Sequence, residues 1–215
     1  MWVVIVAIAF GYIEAAVVVY LRQIFHPEGF TFPMVVFGIS ETARTMLLVE
    51  IGREAATIVL IIGGCILAGE NLRQRLAYFL IIFAVWDIFY YVFLWAILGW
   101  PASIMDWDIL FLIPTAWAGP VLAPVLVSAV MLLIAGMILY RDAGGKAMKM
   151  TAWDMAGLTA ASLVIIASFC IAGQFMHKED YASHFSWLTF GAGLIGATVV
   201  TGRCVYKKTP GRTGG

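Results

Sequence analysis

Charged residues are scarce in this chain. Only 12% of its 215 residues are Asp, Glu, Lys or Arg, while 63% are hydrophobic, and the mean hydropathy is +0.97. A soluble domain carries roughly twice that charge, so the composition excludes a water-facing surface of ordinary size. The formal net charge is zero, which excludes the basic face that a nucleic-acid binder needs. Cysteine is nearly absent. Cys65, Cys170 and Cys204 are widely spaced and form neither a zinc pattern nor a disulfide framework; they read as small packing residues.

Histidine is equally sparse. His26, His177 and His184 lack the helical spacing of metal ligands, and none lies in sequence near a carboxylate of the apolar runs, as Glu-x-x-His dimetal centres require. The HExxH zinc motif and the GxSxG nucleophile elbow are missing. So are the paired aspartate-rich motifs of polyprenyl-transferring enzymes and the histidine boxes of desaturases. No metal or cofactor is therefore expected, and no internal repeat or second domain is evident.

Long apolar runs are what the chain does have. Six spans are expected, at 2–22, 43–69, 76–98, 109–140, 155–176 and 185–203, each long enough for the ~20 residues of a bilayer crossing. The fold class is all-α, a single bundle of transmembrane helices over residues 1–206 with a short tail at 207–215. The first run lacks a basic leader and carries Glu14, so it reads as a retained helix and not a cleaved signal. The fourth span is over-long and holds Pro114, Pro120 and Pro124, which predicts a kinked or discontinuous outer half.

Lys and Arg are distributed unevenly between the two sides. An even number of spans puts both termini on one side, with Arg73, Arg75, Arg141, Lys146, Lys149, Arg203, Lys207, Lys208 and Arg212; the other side has Arg22, Arg44 and Lys178. Positive-inside bias predicts cytoplasmic termini and a cell (inner) membrane location. Trp100, Trp107, Trp117 and Trp187 fall near the outer interface. Asp106 and Asp108 read there as solvated loop acids, or in the case of Asp108 a helix N-cap.

Against this background, ionisable residues inside the apolar runs carry the functional signal. A charged side chain at mid-bilayer costs roughly 2.5–3.5 kcal/mol on insertion scales, so it faces the bundle interior and pairs there. Glu50, Arg53, Glu54 and Thr57 share one helical face, Asp87 shares another with Tyr90 and Tyr91, and Glu14 lies one turn after Gly11. These positions meet Trp117 and the broken fourth span in one slab, from midplane to outer surface. Four carboxylates there face one arginine, so either some stay protonated or a cation shares the site.

The expected binding residues are thus Glu14, Glu50, Arg53, Glu54, Asp87, Tyr90, Tyr91 and Trp117, with Asp87 and Glu54 as candidate catalytic acids. The bland alternatives are an Arg53 ion-pair latch and an Asp87 that bonds Tyr12 or a backbone group. Three functions remain open. The leading one is transport or binding of a small polar or cationic solute coupled to protons or cations. The second is an enzyme acting on a lipid or isoprenoid. The third is a membrane-anchoring or assembly subunit whose buried charges pair with a partner chain, whereas the first would use a partner or a homodimer to complete its pathway. A polar path below Asp87 would favour the first, a dead-end pocket open to lipid the second, and an exposed charged face the third.

Overall fold

The computed structural model describes residues 1–34, 41–145 and 150–206. Its elements in chain order are α1 (Trp2–Phe25), α2 (Glu41–Ala68), α3 (Leu72–Leu98), β1 (Trp107–Phe111), β2 (Trp117–Pro120), α4 (Leu122–Ala143), α5 (Ala152–Gly173), a 3-10 turn (Tyr181–His184) and α6 (Trp187–Tyr206). All six α-helices are long and apolar enough to cross a membrane. This is a multi-pass α-helical membrane protein.

Local chemistry sets the helix ends. Asn71 caps α3 by accepting from the Gln74 amide at 3.1 Å, and Gly99 ends the helix in the left-handed region at φ 66°. At α5 a full capping box joins Thr151 and Asp154. α3 is the central element. α1, α2 and α4 all pack on it, α5 and α6 form a second pair, and β2 lies against α5. Gly11 permits the close approach of α1 to α3, since a Cβ there would come within 2.9 Å of the Trp86 carbonyl oxygen.

The fourth expected span is discontinuous, as its prolines predict, and the break takes an unexpected form. Its proline-rich outer part is not a kinked helix but an antiparallel hairpin, pairing Asp108 with Gly119 and Ile109 with Ala118, with a bulge between Ile109 and Phe111. Helix begins only at Leu122. Proline at 114 and 120 withholds backbone donors that a helix would use, whereas a hairpin satisfies its groups across the ladder. Non-helical backbone at membrane depth needs protein or a cavity around it. The hairpin has both: Ala118 and Val121 are buried, and residues Asp108 to Leu112 line a cavity.

The hairpin, loop 26–34 and the 3-10 turn gather at one end of the bundle, where the Met34 amide donates to the Met176 carbonyl at 2.8 Å. At the opposite end Arg73 of α3 pairs with Asp142 of α4 at 3.2 Å. That end also carries Arg75, Arg141 and Arg203; Lys146, Lys149, Lys207, Lys208 and Arg212, on which the orientation reading also drew, lie outside the described residues, as does the tail at 207–215.

Candidate functional site

A cavity of about 480 Å³ lies between α1, α2, α3 and β1. Both α1 and α2 lean on α3, and α2 joins α1 through charge. Arg53 of α2 donates from Nη1 to Glu14 of α1, while its Nε and Nη2 hold Glu50 one turn earlier on α2. One guanidinium thus takes two carboxylates in a fork geometry suited to Arg. The cluster is interior, with Glu14 and Glu50 side chains 12% and 14% exposed.

Glu54 sits on the same face and does something different. Both its oxygens lie within 3.0 Å of the Leu112 amide, just past β1. That amide has left the hairpin ladder, and the buried carboxylate supplies its acceptor. A residue on α2 therefore anchors the hairpin inside the bundle.

Asp87 of α3 accepts from the Ser128 hydroxyl of α4 at 2.8 Å. It lines the cavity and keeps partial exposure although it lies mid-helix in the central element. Tyr12 is not its partner; that ring is 51% exposed and packs edge-on against Phe93.

Above these groups, towards the hairpin end, a second charge pair closes the cavity. Arg22 Nη2 donates to Asp108 Oδ1 at 3.1 Å, with side chains only 8% and 3% exposed. The Tyr90 hydroxyl donates to the other oxygen of Asp108 at 3.1 Å. The guanidinium lies between two rings, 4.0 Å from the Phe30 centroid and 3.7 Å from that of Trp100, a desolvated arrangement in which each cation–π contact contributes on the order of 1–2 kcal/mol. Asp108 is thus no solvated loop acid and no helix cap. The hairpin turns it inward, where Arg22 and Tyr90 compensate its burial. Asp106 does stay in a loop role, accepting from the amides of Ala102 and Ser103.

Loop 26–34 completes this roof. His177 Nδ1 lies 2.7 Å from the Met34 carbonyl, which can only accept, so the nitrogen carries the proton. His26 stands beside Arg22, and partial burial together with that positive charge pushes its pKa below the usual 6.5. The third histidine, His184, is paired with Asp180 at 3.1 Å. Among the described residues no three His, Cys, Asp or Glu side chains are placed to hold a metal ion.

Seven of the eight expected binding residues line this one cavity: Glu14, Glu50, Arg53, Glu54, Asp87, Tyr90 and Tyr91. Trp117 does not. Its ring stacks on Phe169 of α5 at 6.4 Å and 11°, because the hairpin carries it to the α5 side. Sequence reasoning missed Arg22 and Asp108. For Arg22 the signal was present, since positions 14, 18 and 22 recur on one helical face; for Asp108 nothing local marks an inward turn.

Comparison with family models, with curated proteins and with solved structures returned no match. Chemistry must therefore be argued from the cavity itself. Apolar residues line much of its wall toward the hairpin end, Val18, Leu21 and Phe25 on α1 and Ala43, Met46 and Leu47 on α2, beside Arg22 and His26. Met46 and Leu47 line the cavity from α2 and are 36% and 47% exposed. Beyond the charged floor, toward the termini, the bundle is filled by Ala7, Ile61, Cys65, Ile82, Val85 and Trp86.

Proposed function

We propose that this membrane protein binds a lipophilic substrate through its polar head and exchanges a proton with that head at Asp87. The observation that carries this reading is the position of the charged cluster. It lies on the wall of a cavity with apolar flanks, and Ala7, Ile61, Cys65, Ile82 and Val85 pack together on the side toward the termini. A solute crossing the membrane needs polar groups to continue beyond the site; an amphiphile entering sideways needs only a polar end and an apolar flank.

The residues divide by role. Asp87 is the acid–base group, because its single described partner is a hydroxyl that can donate to the carboxylate and also reorient when the carboxyl is protonated. Glu54 lines the same cavity and is held by the Leu112 amide. Arg53 with Glu14 and Glu50 braces α2 against α1 and fixes the floor. The Arg22–Asp108 pair and its two rings keep bulk water from the hairpin end, which strengthens every electrostatic interaction inside.

Mass spectrometry of what co-purifies with the protein in mild detergent tests the reading. Wild type is expected to retain a lipid or other amphiphile that Asp87→Asn loses. Retention of a small hydrophilic solute, or Asp87-dependent ion flux in proteoliposomes, would replace it with the transport reading, which the surplus of carboxylates in the cavity otherwise favours. An empty wild type that holds a partner protein would replace both with a subunit role.

A further inference from the structure

The charge inventory of the cavity, taken with the reading above on which this inference rests, narrows the head group. Five carboxylates line it, Glu14, Glu50, Glu54, Asp87 and Asp108, against the guanidiniums of Arg22 and Arg53. Both guanidiniums are committed. Arg53 is forked between Glu14 and Glu50, and Arg22 is held by Asp108 and enclosed by two ring faces. No lysine is among the lining residues. A phosphate head would therefore meet surplus negative charge and no uncommitted lysine or arginine.

A second, independent feature asks for an acceptor. Trp86 lines the cavity and is only 5% exposed, yet its indole N–H has no hydrogen-bond partner among the described residues. A buried donor left unsatisfied is costly, so a ligand that brings a neutral oxygen to it gains affinity. Aromatic faces at Trp86, Tyr90 and Tyr91 would also favour a cation in the same space.

We propose that the cavity selects amphiphiles whose head is an ammonium group with a neighbouring hydroxyl or ester oxygen, and rejects phosphate heads. The ammonium faces Asp87, the oxygen takes the Trp86 donor, and the chain leaves between α1 and α2 along Val18 and Met46.

The test uses the full-length protein in phosphatidylcholine nanodiscs, with tryptophan fluorescence reporting binding of 1-amino-2-dodecanol, 1-dodecanol and dodecyl phosphate. The amino alcohol is expected to bind at least tenfold more tightly than either of the others, and Asp87→Asn to remove most of that preference. Val18→Trp, which fills the apolar flank without touching a charge, should weaken the amino alcohol and keep the protein folded, so a folding defect in Asp87→Asn does not leave the proposal unchecked. Equal binding of amino alcohol and dodecanol would overturn the cationic head while leaving the cavity reading intact. Tighter binding of dodecyl phosphate would do the same. Binding of none of the three probes would overturn both readings.

Discussion

Arg22 and Asp108 stand 86 residues apart in sequence and meet at 3.1 Å, the guanidinium held between the rings of Phe30 and Trp100. This contact joins α1, loop 26–34, the end of α3 and the hairpin. It also explains why a hairpin strand carries an acid at its second position inside a membrane protein.

Breaking that pair on one side leaves the other charge buried and unmatched, at a cost of about 3–5 kcal/mol. Arg22→Ala is expected to lower thermal stability in detergent by that order. The double variant Arg22→Met with Asp108→Leu should recover much of the loss, since no lone charge is left. Single variants as stable as wild type would show that the pair is not what closes the roof.

Arg53 sets up a parallel case on the cavity floor. Arg53→Ala leaves Glu14 and Glu50 facing each other without a cation, and stability should fall by about 3 kcal/mol. Adding Glu14→Gln and Glu50→Gln should restore a large share of it. Thermal unfolding of the single and triple variants measures this; a triple variant no better than the single would remove charge repulsion as the cause.

Asp87→Asn separates function from folding. The Asn side-chain oxygen can still accept from Ser128, so the melting temperature should stay within a few degrees of wild type, while binding of the amphiphile falls at least tenfold. A variant that folds and binds like wild type would show that Asp87 is not the acid–base group.

Gly11 tests the α1–α3 crossing. A Cβ at this position would lie 2.9 Å from the Trp86 carbonyl and 3.1 Å from the Phe89 Cβ, so Gly11→Leu should cost about 1–3 kcal/mol through displaced backbone. Because Trp86 and Tyr90 are on the cavity wall, ligand affinity should fall as well. Unchanged melting would mean that α1 can retreat from α3 at no cost.

His26 supplies a pH dependence at the roof. Burial and the charge of Arg22 lower its pKa in the folded protein from the ordinary 6.5. The unfolded state then binds the proton more readily, so stability contributed by neutral His26 is complete above pH 6.5 and is lost as pH falls through the depressed value. His26→Gln should flatten this part of the melting-temperature profile between about pH 7 and 5. A profile identical to wild type would assign the acid-side loss to other groups.

The membrane class, the number of spans and the convergence of Glu14, Glu50, Arg53, Glu54 and Asp87 were all legible in the chain. Hydropathy over ~20 residues and the 3.6-residue period are local properties, and charges inside such runs must turn inward together. Tertiary structure decided the rest. It turned the proline-rich stretch before α4 into a hairpin, because Glu54 and the neighbouring helices satisfy and bury its backbone; it took Trp117 away from the cavity; and it drew Asp108 inward to Arg22. Those outcomes depend on partners tens of residues away, and no local pattern encodes which buried charge will find which.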